Sequence, residues 1–394
     1  MKAPARLRPR AEVSGRPEAG ERAASGRAPW IYALKVVAIT RLVFGLIAYV
    51  AAWLLSVSSF GPLDSSFLEL FNRWDAVHFI EVARFGYTSP LTDPHATAFF
   101  PLYPLAIRAL AAAGMTEVLA GMIVSTAATI VATAYLYKLA ELDVGSGAGR
   151  RASLYLVLFP TAVFLVAPYS EALFLAGAIS AFYYARAGRW LPAAPGAAVA
   201  MGARAAGLFL LFGLLWEFVR QRDFSRSRIR EAALCALAGL APLLAYGAYL
   251  ARVKGNALYF FIDQMDGWFR KFTDPVTSFR EIWELFEGPG NQTNWNFAWR
   301  LEIVAAAVGV FAVAWALQRR EWGYAAYMGS FMAALLTSTW YYSVPRMLLS
   351  FFPLMIFLAS FTRRHQERHE TVLVGSALLA CLGVVVFTRG AWFY

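Results

Sequence analysis

Long apolar segments separated by short polar connections make up most of this chain, and the pattern predicts about eleven helices. Most of these segments approach the roughly twenty residues that a helix needs to cross about 30 Å of hydrocarbon. The predicted helices cover residues 36–57, 117–139, 152–168, 171–187, 191–203, 205–219, 231–251, 301–317, 322–338, 347–361 and 371–388. The fifth and sixth segments meet at Arg204, so one broken helix or a re-entrant pair of helices is an alternative to two separate spans there.

The composition agrees with a membrane location. Of the 394 residues, 59% are hydrophobic and only 15% are charged, whereas soluble domains carry about a quarter charged residues. A soluble protein of this length needs more polar surface, so the soluble, fibrous and disordered classes are excluded. The apolar segments are also unlike the short alternating strands of an outer-membrane barrel. We therefore predict an all-α polytopic membrane protein.

The basic residues predict how the helices are oriented. Arginines cluster in the short connections at residues 150–151, 186–189, 220–230, 319–320 and 363–368. All of these lie on one side of the predicted membrane, which the positive-inside rule makes cytoplasmic. The net charge of +11 then reflects topology, and no nucleic acid partner is expected. Residues 1–30 are predicted to be a disordered basic cytoplasmic tail, and residues 31–394 a single transmembrane domain.

This topology places two long connections, residues 58–116 and 252–300, on the external side of a cell membrane. Long ordered loops on one face of a compact protein usually carry function, so we expect an external active site. Residues 252–300 mix tryptophans with charged residues and are predicted to form a cap that binds an acceptor. The arginine-rich and alanine-rich composition is typical of a bacterial gene.

The first external loop contains two distinct patterns. The first part of FNRWDAVHFIEVARFGYTSPLTDPHATAFFPLYPLAIRAL has helical spacing, with Asp75, His78 and Val82 on one side, which is typical of an amphipathic helix at the membrane interface. Residues 99–104 combine aromatic bulk with Pro101 and Pro104, and we predict a rigid, non-helical apolar ledge. Such a ledge would suit a lipid chain.

Asp75 is the candidate general base. A carboxylate partly screened from water gains proton affinity, while a nearby cation keeps it ionised. The alternative is structural, with Asp75 capping a helix or pairing with Arg73 or Arg84. His78, one turn later, would position the same substrate or serve only as a hydrogen-bonding structural residue.

The first loop also contains residues that are able to bind a metal. Asp75, His78, Asp93 and His95 offer carboxylate and imidazole ligands, but their spacing matches no dedicated motif. We therefore predict no cofactor, and leave a divalent metal as a minor alternative.

Two arginines near the external ends of helices require anionic partners. Arg204 lies among small residues in MGARAAG and Arg346 lies in WYYSVPRMLL. An unpaired cation in the membrane costs about 2.5–3.5 kcal/mol, and arginine binds phosphate through two parallel hydrogen bonds. The pair would suit a sugar phosphate, with the neighbouring aromatic residues stacking on the sugar. The alternative is that each arginine pairs with an internal carboxylate, Glu171 or Asp75.

Five motifs occur in a recognisable order: RWDAVHFIEVARFGYTSP, AFFPLYPL, YSEALF, AMGARAAGLFLL and SVPRMLLSFFPL. Together they resemble the PIG-V-like mannosyltransferases, in the bacterial branch of that family, from about residue 36 to about residue 361. The resemblance implies a GT-C-type helical bundle that uses a polyprenyl-phosphate sugar as donor. In the family, Ser or Pro followed by Asn often comes after the arginine of the fourth motif, whereas this chain has Ala205 and Ala206, which leaves the acceptor open.

By the same resemblance Asp75 is the catalytic base. The predicted substrate contacts are Arg73, Trp74, His78, Tyr103, Tyr169, Glu171, Arg204, Tyr341 and Arg346. The expected reaction moves a hexose, mannose by resemblance, to a hydroxyl of a lipid- or glycan-linked acceptor with inversion. The alternatives are a transporter or flippase of lipid-linked substrates, which intramembrane charges and broken helices also indicate, and a non-catalytic membrane subunit.

Overall fold

The computed structural model describes residues 26–55, 57–58, 61–62, 66–287 and 293–392. The first 25 residues of the predicted tail lie outside this range. The first helix begins at Ala28, inside the predicted tail.

Helices dominate the described part of the chain. They are α1 (Ala28–Leu54), α2 (Asp75–Phe85), α3 (Leu102–Ala111), α4 (Glu117–Val144), α5 (Ala148–Val157), α6 (Glu171–Arg186), α7 (Trp190–Ala203), α8 (Gly207–Gln221), α9 (Arg226–Lys254), α10 (Tyr259–Asp266), α11 (Pro275–Glu287), α12 (Thr293–Gln318), α13 (Trp322–Leu336), α14 (Val344–Leu348), α15 (Phe352–Thr362) and α16 (Gln366–Thr388). Single turns of 3-10 helix cover Phe67–Phe71, Ala96–Ala98 and Ala162–Leu165, and two-residue strands β1 (Val57–Ser58) and β2 (Gly61–Pro62) pair antiparallel.

Every apolar segment that the sequence singled out contains helix, and most are helical over nearly their whole length, which confirms the all-α polytopic membrane class. Among the described residues, 5 helices are long and apolar enough to cross a membrane: Ala28–Leu54, Glu117–Val144, Arg226–Lys254, Ala298–Gln318 and Gln366–Thr388. The other segments form shorter helices, so eleven complete spans stay a prediction.

Two of the predicted helices are interrupted. The helix expected at residues 152–168 ends at Val157, shortly before Pro160, which has no N–H to donate and disfavours helix in the residue before it. The helix expected at residues 347–361 is divided into α14 and α15, with a proline in the first turn of α15.

Residues 191–219 form two helices. The first, α7, ends at Ala203, Arg204 has an extended backbone, and α8 begins at Gly207. The turn is tight, because a Cβ atom on Gly207 would lie 2.4 Å from the Cα atom of Met201. The chain therefore reverses at Arg204, which contradicts one broken helix, and two complete spans at residues 191–219 stay a prediction.

The prediction that residues 99–104 avoid helix is wrong at its second half. Helix α3 begins at Leu102 and includes Pro104 in its first turn. The first N–H groups of a helix have no partner inside it, so a proline there loses no hydrogen bond.

Helix α6 lies at the centre of the bundle, packed between α4 and α7. Gly177 on α6 and Gly196 on α7 let these helices approach closely, since a Cβ atom on Gly177 would lie 2.6 Å from the carbonyl oxygen of Gly196. Small residues permit this kind of contact in membrane helices. The close packing fixes both ends of α6, and each end carries a cluster of charges.

At the carboxyl end of α6, Arg186 pairs with Asp143, Glu217 and Glu321 over 2.7, 2.5 and 3.0 Å. These residues lie on the side that the charge pattern predicts to be cytoplasmic. The network ties α4, α6, α8 and the start of α13 together, and we interpret it as structural.

Candidate active site

Asp75 is the first residue of α2, so the helix predicted in the first external loop is confirmed. Trp74, just before it, has a φ of 55°, a conformation that costs a non-glycine residue about 1–3 kcal/mol. The Trp74 ring packs edge-on against Trp392, with the ring centroids 4.9 Å apart. This contact helps to hold the turn that orients Asp75.

Asp75 forms an ion pair with Arg346. The Nη1 atom of Arg346 donates a hydrogen bond to Oδ2 of Asp75 over 2.6 Å. The Asp75 side chain is 22% exposed and that of Arg346 is 8% exposed, so a substrate can still reach the carboxylate. Among the described residues, no hydrogen bond involves Oδ1 of Asp75.

Glu171 is a buried carboxylate that contacts two arginines, Arg204 and Arg346. It is the first residue of α6 and its side chain is only 1% exposed. Its Oε1 atom pairs with Nη1 of Arg204 and lies 3.6 Å from Nε of Arg346. The alternative raised from the sequence, that the two arginines pair with Glu171 and Asp75, therefore describes the contacts that they make.

Ser170 is the N-cap residue of α6, but its side chain makes no capping hydrogen bond. The Ser170 hydroxyl instead accepts a long hydrogen bond, 3.5 Å, from Nη1 of Arg204. Arg204 can donate to this hydroxyl oxygen because its guanidinium lies at the same end of α6.

A second carboxylate, Glu302 on α12, fixes the segment that carries Arg346. Its two oxygens accept hydrogen bonds from the backbone N–H groups of Ser343 and Val344, each over 2.7 Å. Ser343 has a φ of 61°, so the carboxylate stabilises an unfavourable turn at the start of α14. The sequence analysis missed Glu302, although a carboxylate at the start of the predicted apolar helix 301–317 was a signal that could have found it.

The charged groups of the site shift each other's pKa values. Burial raises the pKa of Asp75, but the Arg346 guanidinium more than offsets this, and the pKa lies below its usual value. Burial lowers the pKa of Arg346, but Asp75 and Glu171 more than offset this effect. The pKa of Arg346 therefore lies above its usual value. Both members of the pair are thus charged near neutral pH.

A cavity of about 500 Å³ opens beside Asp75. We call it the charged cavity, and its charged lining side chains are Asp75, Arg204, Arg270, Lys271 and Arg346. Aromatic residues form much of the remaining wall, among them Phe99, Phe100, Phe260, Trp268 and Tyr342. Ala205 and Ala206 also line it, so the residues that depart from the family pattern face the site.

A second cavity, of about 580 Å³, has almost only apolar walls. We call it the apolar groove. Pro101, Leu102 and Pro104 from the predicted ledge line it, together with residues of α7 and α9. It adjoins the charged cavity, because Phe100 and Ala203 line the first cavity and their neighbours Pro101 and Gly202 line the second. Its use by a lipid chain stays a prediction.

Of the predicted site residues, Asp75, Arg204 and Arg346 line the charged cavity. Tyr103 and Tyr169 are buried behind it: the Tyr103 hydroxyl donates to the carbonyl of Gly121 over 2.9 Å, and that of Tyr169 donates to the carbonyl of Arg73 over 3.0 Å. Glu171 and Tyr341 are buried too, and Arg73, Trp74 and His78 are partly exposed outside the lining. These residues support the site from its surroundings.

His78 stacks on Phe99, with ring centroids 5.1 Å apart, and meets Trp268 edge-on at 5.3 Å. Its Nδ1 atom lies 3.9 Å from carboxylate oxygens of both Glu81 and Asp93. His78 therefore braces the aromatic wall of the charged cavity.

The side chains of the four residues considered as metal ligands do not converge on one point. Asp75 pairs with Arg346, His78 lies near Asp93, and the Nδ1 atom of His95 lies 3.2 Å from Oδ1 of Asp263. Within the described ranges, no group of three or more His, Cys, Asp or Glu side chains is placed to hold a metal ion.

The sequence analysis did not single out Arg270 and Trp268 as site residues, although it assigned the connection that carries them to acceptor binding. Arg270 and Trp268 come from the second long connection, between α10 and α11. The signal for them was the sequence GWFRKF, in which cations stand among aromatic residues. That pattern is also common in interfacial segments, so it did not by itself select these residues.

The fold and the charged cavity define a polytopic helical membrane protein with one accessible carboxylate among several arginines. Residues 53–233 match the family model described as Mannosyltransferase (PIG-V), which confirms the resemblance to that family over this segment. Asp75, Glu171 and Arg204 lie inside the matched segment, whereas Arg270 and Arg346 lie beyond it.

Three similar proteins are each named GPI alpha-1,6-mannosyltransferase 2. The one from Cricetulus griseus is 34% identical over 168 residues, which are 39% of this chain and 33% of the relative. The one from Rattus norvegicus is 33% identical over 187 residues, 44% of this chain and 36% of the relative. The one from Mus musculus is 34% identical over 157 residues, which are 36% of this chain and 31% of the relative. The matched region thus spans about a third of the length of these relatives.

Proposed function

We propose that this chain is a membrane mannosyltransferase. It moves mannose from a polyprenyl-phosphate donor to a hydroxyl of a lipid- or glycan-linked acceptor, on the external face and with inversion at the anomeric carbon. The observation that carries the proposal is the position of Asp75, a partly exposed carboxylate in the wall of a 500 Å³ cavity. The family match over residues 53–233 supports the sugar and the reaction class.

In this mechanism Asp75 is the base. The acceptor hydroxyl attacks the anomeric carbon and transfers its proton to Oδ1 of Asp75. The bond between the anomeric carbon and the phosphate oxygen breaks, and the phosphate leaves with the bonding electrons from the opposite face. A phosphate leaving group needs no protonation, so a single carboxylate is sufficient, unlike the two carboxylates of glycosidases.

Arg346 supports the base in two ways. Its hydrogen bond to Oδ2 fixes the carboxylate, and its charge keeps Asp75 ionised despite partial burial. Arg346 and Arg204 also add positive potential to the cavity, which favours a phosphate as it gains charge. Glu171 holds both arginines in place.

Transfer of labelled mannose by the purified chain in lipid nanodiscs tests the proposal. We expect transfer from polyprenyl-phosphate mannose to membrane lipid extract, and no transfer from GDP-mannose alone. Transfer from GDP-mannose without a lipid carrier would overturn the donor assignment. Mass spectrometry of glycolipids and glycans from a deletion strain would identify the acceptor as the species that loses a hexose.

The same preparation separates the other functions. A flippase would move the labelled lipid between leaflets of a vesicle and form no new glycosidic bond. A non-catalytic subunit would do neither, and replacing Asp75 would then leave cellular glycolipids unchanged. Either result would contradict the proposal.

A further inference from the structure

The charges of the charged cavity do not balance. Asp75 and Arg346 form one ion pair, and Glu171 and Arg204 form the other. Two cations from the second external loop, Arg270 and Lys271, are left in the lining. Among the described residues, neither lies within 4 Å of a carboxylate. The cavity therefore has an excess of positive charge once its internal pairs are counted.

Arg270 is held firmly although it lies in a loop. Phe272 forms an antiparallel bridge with Ser338, and the backbone N–H of Thr273 donates to the carbonyl of Thr337 over 2.9 Å. The hydroxyl of Thr339 donates to the carbonyl of Phe269 over 2.7 Å and accepts from the N–H of Lys271 over 3.0 Å. These hydrogen bonds hold the residues before and after Arg270 against the segment that follows α13.

The guanidinium of Arg270 is directed to the wall formed by Tyr342. Its Nη2 atom donates to the carbonyl of Tyr342 over 3.3 Å, and its central carbon lies 5.6 Å from the centroid of the Tyr342 ring. These are neutral contacts, which orient the guanidinium without neutralising it. Burial and the neighbouring charge of Arg346 lower the pKa of Arg270 to about 10, so it stays charged at neutral pH at an energetic cost.

Trp268, two residues earlier, supplies a second unused donor. Its indole Nε1 atom is buried and, in the part of the chain that the structure describes, has no hydrogen-bond partner. The residue lines the same cavity. A buried polar group without a partner is unfavourable, and an oxygen-rich ligand would accept hydrogen bonds from the indole and from Arg270 together.

We propose that Arg270 is the residue that binds the phosphate of the lipid-linked sugar donor, with the indole N–H of Trp268 donating to an oxygen of the same headgroup. Arginine offers two parallel donors to a phosphate, and such charge-assisted bonds are roughly twice as strong as neutral ones. The charges of Arg204 and Arg346 are largely neutralised by their ion pairs with Glu171 and Asp75. The inference rests on the proposed function and assigns the phosphate contact to the second external loop.

Binding measurements on the full chain in zwitterionic nanodiscs test this assignment. The probes are polyprenyl phosphate and, separately, inorganic phosphate, and the variants are Arg270→Gln, Arg270→Lys and Trp268→Phe. The control is Arg280→Gln, because Arg280 belongs to the same loop but is exposed on α11 and lies outside the cavity lining. Melting curves of all variants show whether each one is folded.

We expect wild-type protein and the Arg280→Gln variant to bind polyprenyl phosphate equally. Arg270→Gln should weaken binding by about tenfold or more, since it removes a charge-assisted pair of bonds. Arg270→Lys should recover part of the loss, and Trp268→Phe should lose less than Arg270→Gln. Tight binding of inorganic phosphate alone would mean that the lipid is not needed for recognition, and would overturn the lipid-headgroup assignment.

The outcomes separate this inference from the proposed function. If wild-type protein binds polyprenyl phosphate and transfers the sugar while folded Arg270→Gln binds equally well, only the Arg270 assignment is wrong. If wild-type protein binds no polyprenyl phosphate, the proposed donor class fails as well.

Discussion

Arg346 donates a hydrogen bond to Asp75 over 2.6 Å, although 271 positions separate the two residues in the chain. The contact joins the start of α2 to α14. It also decides the protonation state of the proposed base, because the guanidinium offsets the effect of burial on the carboxylate. Two predictions follow from this pair and two from the packing around it.

Replacing Asp75 with Asn should reduce transfer by about 100-fold or more, because an amide cannot accept the proton of the acceptor hydroxyl. The amide oxygen can still accept the hydrogen bond from Arg346, so we expect a folded protein. Transfer rates and melting curves in nanodiscs measure both effects. The matched control is Asp266→Asn, an exposed carboxylate at the end of α10. Near-normal transfer by Asp75→Asn would exclude Asp75 as the base.

The pH dependence should depend on Arg346. The pKa of Asp75 lies below the usual 3.8, so the ion pair stabilises the fold fully above about pH 4 and loses this contribution as the pH falls through the lowered pKa. Transfer should therefore show no loss from Asp75 protonation between pH 5 and pH 7, roughly. In Arg346→Gln the effect of burial dominates, and the acid limb of the pH–rate profile should move to higher pH. An unchanged acid limb would show that Arg346 does not control the carboxylate.

Gly207→Ala should destabilise the turn that positions Arg204. The added methyl group would lie 2.4 Å from the Cα atom and 2.6 Å from the N atom of Met201, and backbone atoms cannot move aside cheaply. We expect a loss of about 1–3 kcal/mol, as for other overpacked sites, visible as a lower melting temperature. Gly375→Ala in α16 is the control, because nothing lies within 4 Å of its added Cβ atom. Equal melting temperatures for both variants would contradict the prediction.

Arg389→Met should raise the melting temperature. Arg389 follows α16, is 6% exposed, and its three guanidinium nitrogens are buried with no hydrogen-bond partner among the described residues. An unsatisfied buried group of this kind costs about 1–3 kcal/mol, and methionine fills similar space without that cost. Arg364→Met, at an exposed position before α16, controls for loss of surface charge. A lower melting temperature for Arg389→Met would show that the guanidinium contributes to stability.

The sequence by itself determined the membrane class, the positions of most apolar helices and a helix that includes Asp75. These features are local, since a helix in lipid satisfies its own backbone hydrogen bonds and needs only a sufficiently long apolar segment. The sequence also selected Asp75, Arg204 and Arg346, because a charge within or beside an apolar segment requires a partner. The breaks in the third and tenth predicted helices could have been inferred from Pro160 and Pro353, whereas the reversal at Arg204 needed the packing of Gly207 on Met201.

Only the tertiary structure decided which charges neutralise each other. Arg204 and Arg346 were equal candidates for phosphate in the sequence, yet in the fold both contact Glu171, and Arg346 also contacts Asp75. The signal for Arg270, a cation among aromatic residues, is shared by many interfacial segments and did not select it. A backbone bridge between residues 272 and 338 helps to hold it where no carboxylate of the described residues pairs with it. Charge pairing depends on distances across the whole bundle, and such distances are set by the packing of helices that lie far apart in the chain.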